Sequence, residues 1–197
     1  MLFEFIRKLT IPFNEIAKYV PNNGKILDVG CGHGAFSRMM AQRCPQLSVL
    51  GIDPSDYKIT IAKSKSLNIT NLRYRTSYLK NIHTKFDCIV IMDVLYLFPP
   101  NEKIKTLQLC YKLLNKNGVL ILSEIDNRQN LMFRLLFLEE ILMVKILKYT
   151  YSDNRGLFFL DGKNYLKEFK KIGFKIISKK TIRGALPYQH ILYVGKK

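Results

Sequence analysis

Twelve consecutive residues, Lys25-Ile26-Leu27-Asp28-Val29-Gly30-Cys31-Gly32-His33-Gly34-Ala35-Phe36, restrict this chain more than any other feature. A buried strand that runs into closely spaced glycines and then into a helix must turn sharply at positive φ. Glycine does this without a Cβ penalty, and the turn opens the first helical amides to a ligand. Around this segment, short apolar runs bounded by Gly, Pro, Asn or Asp alternate with longer stretches of helical spacing. That alternation argues for an α/β fold, a parallel sheet covered by helices on both faces. We read strands over 25–29, 48–52, 72–75, 88–92 and 119–123, with helices starting near Ala35, Tyr57 and Asn101. Asn115, Asn117 and Gly118 form a turn between helix and strand. After Glu124 the pattern changes to a long apolar helix over 130–148, a charged helix over 162–171 closed by Gly173, and strands over 174–178 and 190–194 joined by a turn containing Pro187.

The glycine spacing alone is ambiguous, because Gly30, Gly32 and Ala35 also satisfy the G-x-G-x-x-G/A pattern of dinucleotide sites. Asp28 separates the two. A carboxylate at the end of the first strand would repel a pyrophosphate and attract a cationic ligand. The second strand ends in Asp53, about 20 residues after the glycines, where an acid can accept both hydrogen bonds from a ribose diol. The alternative role for Asp53 is a turn or helix N-cap aspartate. Pro54 and Ser55 follow and would form one wall of a nucleobase pocket.

Four segments then stand in order: Asp28-Val29-Gly30-Cys31-Gly32-His33-Gly34, Gly51-Ile52-Asp53-Pro54, Phe86-Asp87 leading into Met92-Asp93-Val94-Leu95-Tyr96, and Leu113-Leu114-Asn115-Lys116-Asn117-Gly118. Together they resemble the successive motifs of class I S-adenosylmethionine-dependent methyltransferases, within which the chain is similar to the quinone, polyketide and lipid branch. The resemblance implies a doubly wound, Rossmann-like sheet of seven strands whose last strand is antiparallel. It also implies S-adenosyl-L-methionine as cofactor, held by Asp28, Gly30, Cys31, Gly32, His33, Gly34, Asp53, Pro54, Ser77 and Asp93. The stretch after the third strand, Arg75-Thr76-Ser77-Tyr78-Leu79, lacks the acid that family members use on the adenine amino group, and Ser77 or nearby carbonyls would take its place.

Methyl transfer is an in-line displacement, so holding the acceptor in line can supply ~7 to 11 kcal/mol of the barrier, and a base is needed only if the acceptor loses a proton. Candidates are Asp93 and Tyr96 after the fourth strand, ahead of Glu124 and Asp126 after the fifth, together with His190 in the final strand pair. Asp93 could instead contact the methionine end of the cofactor, and Tyr96 could pack under the next helix. His33 is expected to contact the cofactor, and His83 to be solvated. No metal site is expected.

We expect one domain over 1–197, with an amphipathic segment over 1–20 and a helical insertion over about 129–149 that roofs an apolar acceptor pocket, rests on a membrane or covers the sheet. The charges within that insertion exclude a spanning helix, and the amino-terminal stretch lacks a signal-peptide pattern, so a cytoplasmic protein is expected, with peripheral contact at the inner membrane face as an option. The cysteines Cys31, Cys44, Cys88 and Cys110 show no CxxC pairing and read as free thiols. A net charge of +17 favours anionic partners, although the preference for Lys over Arg, the abundance of Ile, Asn and Tyr and the absence of Trp also fit an AT-rich coding sequence. Three readings follow: a methyltransferase for an apolar or amphipathic small molecule, an RNA methyltransferase that uses the basic surface, and a silent cofactor-fold binding protein. An Asn or Asp-Pro-Pro-aromatic clamp is missing after the fourth strand, and Asp28 and Asp53 beside the glycine turn argue against silence.

Overall fold

The computed structural model describes residues 10–125, 158, 162–185 and 189–197. Seven strands form one sheet: β1 (Gly24–Val29), β2 (Leu47–Asp53), β3 (Leu72–Thr76), β4 (Phe86–Met92), β5 (Leu114–Ile125), β6 (Lys175–Arg183) and β7 (Gln189–Lys196). Their spatial order is β3-β2-β1-β4-β5-β7-β6. β1 to β5 pair parallel with one another, and β7 pairs antiparallel with both β5 and β6. This is the doubly wound sheet with an antiparallel last strand.

Five α-helices of the described residues flank it: α1 (Phe13–Ala17), α2 (Ala35–Arg43), α3 (Asp56–Ser64), α4 (Pro100–Leu113) and α5 (Gly162–Ile172). The central strands bury both faces. Ile26, Val49, Cys88, Val90, Ile121, Leu192 and Val194 pack towards α1, α2 and α3. Leu27, Ile52, Ile89, Ile91, Leu120, Leu122 and Tyr193 pack towards α4 and α5. Such two-sided burial is why the parallel strands read as continuous apolar runs rather than alternating ones.

Two local details differ from the sequence reading. The turn expected at Asn115, Asn117 and Gly118 lies inside β5, whose pairing jumps from Phe86↔Leu114 to Cys88↔Val119. The additional residues fold into a bulge with Asn117 at φ 66°, since asparagine tolerates the left-handed region and the flanking residues stay bonded to the sheet. β6 also runs to Arg183, past the expected end at Ser178. An edge strand exposed on one side carries lysines that mask its apolar signal. Gly173 does close α5, at φ 110°, with its N–H and that of Phe174 both donating to the Phe169 carbonyl. The helix expected over 130–148, the first nine residues of the segment 1–20, and the Pro187 turn lie outside the described residues.

Among the described residues no helix is long and apolar enough to cross a membrane.

Candidate active site

All parallel strands end at one edge of the sheet, and the order reverses between β1 and β4, where the crevice of an open α/β sheet takes its ligand. The glycine turn sits there. The N–H groups of Gly30 and Cys31 both donate to the Ile52 carbonyl, at 2.8 and 3.0 Å, so the turn is pinned against the end of β2. Gly30, Gly32 and Gly34 have φ of 72°, 54° and 74°. Protein also requires two of these glycines: a Cβ on Gly30 would lie 2.4 Å from Val94 Cγ2, and one on Gly34 would lie 2.1 Å from the Tyr74 hydroxyl.

Asp28 is buried in β1, and its Oδ2 accepts a hydrogen bond from Ser37 Oγ of α2 at 2.5 Å. Asp53 is 6% exposed at the end of β2. Its Oδ2 accepts from the Gly32 N–H at 3.1 Å and its Oδ1 from the Ser55 N–H at 2.9 Å. The turn role and the diol-binding role are therefore compatible, because a carboxylate offers about four acceptor positions and these bonds use only two. Pro54 is half-buried beside it. Ser77 is buried at the end of β3, with its N–H on the Asp53 carbonyl and its hydroxyl on the Tyr78 carbonyl. His33 is half-buried, its ring edge-on to Tyr57 with centroids 6.5 Å apart, and its carbonyl accepts from Arg38 Nη1. Cys31 is half-buried at the same turn, and His83 is exposed. This donor set fits S-adenosylmethionine: Asp53 and the wall of Pro54 and Ser77 suit a nucleoside, and Asp28 beneath the turn supplies negative potential for a cationic methionine end.

Next to it the structure brings together two residues distant in sequence. His190 Nε2 lies 3.1 Å from Asp93 Oδ2, the histidine fully enclosed and the Asp93 side chain 12% exposed. Asp93 has a left-handed backbone, φ 52°, and its N–H donates to the Ser123 carbonyl. Its second oxygen, Oδ1, is buried and has no hydrogen-bond partner among the described residues. Tyr96 does not join this pair; its side chain is buried with Leu97 against Phe98 and Ile125.

Glu124 carries more of the site than the sequence suggested. Buried at the end of β5, it accepts the N–H groups of Val94, Leu95 and Tyr96, at 3.4, 2.9 and 3.2 Å. Burial and the nearby Asp93 charge push its carboxyl up to about 7. Lys103 of α4 is buried close by, its ammonium on the Phe158 carbonyl and 5.9 Å from the Tyr165 ring centroid, and burial pulls it down to about 8. The Phe158 N–H in turn donates to the Tyr96 carbonyl at 2.6 Å. One sequence signal for Lys103 was available: it shares a helical face with Leu107 and Cys110, so it interrupts an apolar stripe. Ser37 gave no comparable signal.

The methyltransferase domain family matches residues 3–179. Among curated proteins, the chain is 35% identical over 111 residues to the ubiquinone biosynthesis O-methyltransferase of Haemophilus ducreyi, covering 52% of this chain and 45% of that one. It is 28% identical over 127 residues to the trans-aconitate 2-methyltransferase of Deinococcus radiodurans, covering 64% and 48%. The chain thus spans about half the length of these relatives. Its fold superposes on the magnesium protoporphyrin IX methyltransferase of Synechocystis PCC 6803, solved with bound S-adenosylmethionine, with a TM-score of 0.67 at 21% identity over 94% of this chain and 76% of that one. The glycine turn, the two strand-end aspartates and the matched domain agree: the chain belongs to the class I S-adenosylmethionine-dependent methyltransferase family.

Proposed function

We propose that this chain transfers the methyl group of S-adenosylmethionine to an apolar or amphipathic small molecule. The observation that carries the reading is the enclosed Asp93–His190 pair at the sheet edge that also holds Asp28, the glycine turn and Asp53. The bound cofactor supplies an activated methyl group on a cationic sulfur. The protein's own residues then have three tasks. Asp53 binds the ribose diol, while Pro54 and Ser77 bound the adenine. Asp28 and the turn residues Gly30 to Gly34 position the methionine end. Asp93, oriented by His190 through the Nε2–H tautomer, accepts the hydrogen bond, and where needed the proton, of the acceptor heteroatom at Oδ1. Tyr96 serves by its backbone, which joins Glu124 to Phe158.

In this reading residues 1–197 act as one methyltransferase domain, with the helical insertion over about 129–149 covering the acceptor. The deciding experiment incubates the purified protein and an Asp53→Ala blank with methyl-labelled S-adenosylmethionine and a host-cell extract. Label in the organic-soluble fraction, missing from the blank, is expected. Label confined to nuclease-sensitive material would refute the small-molecule acceptor in favour of an RNA substrate.

A further inference from the structure

Asp28, Gly51 and Tyr74 stand abreast on β1, β2 and β3, because the registers pair Asp28 with Gly51 and Gly51 with Tyr74. The middle position has room only for glycine: a Cβ there would lie 2.7 Å from Tyr74 Cδ1. The Tyr74 ring therefore crosses over β2, and its hydroxyl donates to the Gly34 carbonyl at 3.0 Å. Burial pushes this phenol up to about 12, so it stays a donor at neutral pH. The Gly34 carbonyl also accepts the Arg38 N–H at 2.9 Å, and two donors fill its two lone pairs.

That occupancy decides where Ser37 donates. A serine inside a helix can return its hydroxyl to the carbonyl three or four residues back. For Ser37, in the first turn of α2, those are the carbonyls of Gly34 and His33, and the second already accepts Arg38 Nη1 at 2.6 Å. The hydroxyl, fully buried, donates instead to Asp28 Oδ2 at 2.5 Å, the length of a hydrogen bond from a hydroxyl to a carboxylate.

We propose that Ser37 is a positioning residue for the cofactor. It fixes the Asp28 carboxylate so that its charge acts on the ammonium of the methionine end, and Tyr74 keeps Ser37 on that task by filling the Gly34 carbonyl. The inference rests on the assignment of Asp28 to the methionine end, and its test needs no acceptor. Calorimetric titrations would compare S-adenosylhomocysteine with its desamino analogue, which keeps the adenine, ribose and carboxylate and lacks only the ammonium. The proteins are the unaltered chain, Asp28→Asn, Ser37→Ala and Tyr74→Phe. The unaltered chain should prefer S-adenosylhomocysteine by about tenfold or more, and Asp28→Asn and Ser37→Ala should lose most of that preference. Tyr74→Phe, which reopens the Gly34 carbonyl to the Ser37 hydroxyl, should lose part of it. Affinity of Ser37→Ala for the desamino analogue should stay within about threefold, a result that a purely structural role would not give. A Ser37→Ala variant that weakens both ligands equally, or that keeps the full preference while Asp28→Asn loses it, would overturn the proposal and leave the Asp28 assignment standing. A full preference in Tyr74→Phe would overturn the part given to Tyr74. A preference that survives in Asp28→Asn, or that the unaltered chain lacks, would refute the Asp28 assignment itself and the proposal with it.

Discussion

Replacing Glu124 by Gln tests whether the turn after β4 is held by a buried carboxylate that resists ionisation. Burial and Asp93 raise this carboxyl from an ordinary 4.5 to about 7, so between those values the folded state binds more protons than the unfolded one. Stability then falls as pH rises through that interval, by on the order of 3 kcal/mol for this group at 1.36 kcal/mol per unit. Gln does not titrate, and every unrelated group cancels in the difference between the two proteins. Removing the carboxylate also deprives Lys103 of the charge that supports its protonated form, so that lysine sheds its proton earlier and shifts the difference in the same direction. The assay is urea unfolding at pH 5, 6, 7 and 8, analysed by linear extrapolation. Relative to the unaltered protein, Glu124→Gln should gain roughly 2 to 3 kcal/mol on going from pH 5 to pH 8. Glu124→Ala, which leaves the Val94, Leu95 and Tyr96 N–H groups without their acceptor, should lose about 3 kcal/mol at pH 5. A difference between Glu124→Gln and the parent that stays flat with pH, or an alanine variant as stable as the parent, would refute the reasoning.

Asp53→Ala removes two acceptors from a charged site, so S-adenosylhomocysteine should bind at least about tenfold more weakly by equilibrium dialysis, and unchanged affinity would exclude the diol role. His190→Ala should lower kcat by about 100-fold or more for an acceptor that loses a proton, leaving S-adenosylhomocysteine affinity within a few-fold. Asp93→Asn should do the same while folding normally, because Asn tolerates the φ of 52°. Gly30→Ala forces a Cβ to 2.4 Å from Val94 at positive φ and should destabilise the protein by roughly 2 to 3 kcal/mol in thermal unfolding. Adding Val94→Ala should restore the steric part and leave about 1 kcal/mol of backbone cost.

The fold was legible because local signals agreed with the global arrangement. The apolar runs at β1, β2 and β4 are buried on both faces, and each is punctuated at its carboxyl end by Gly or Asp. The proposed cofactor side was legible as a constellation for the same reason: Asp28, the glycines and Asp53 lie within two consecutive strand-to-helix units, so their spacing in sequence is their spacing in space. The proposed acceptor side was less so. His190 and Asp93 stand 97 positions apart and meet only because β7 inserts antiparallel beside β5. Glu124 was visible as an acid at a strand end, but its donors are backbone N–H groups of another turn, which carry no residue-type signature.

Asp93 shows how these parts depend on each other. A left-handed backbone at a non-glycine residue costs on the order of 1 to 2 kcal/mol and persists only where the surroundings over-determine it. Here they do. The Asp93 N–H is fixed to the Ser123 carbonyl, and the next three N–H groups converge on the neighbouring side chain Glu124, two positions of β5 that follow each other directly. The chain therefore leaves β4 at an abrupt angle instead of continuing as strand. Val94 comes to rest against Gly30 of the glycine turn, and the Asp93 carboxylate meets His190. The contact that requires glycine at position 30 and the contact that orients the Asp93 carboxylate are consequences of one backbone reversal. A change that relaxes that reversal, such as Glu124→Ala, should therefore weaken cofactor affinity and turnover together, whereas His190→Ala should affect turnover alone.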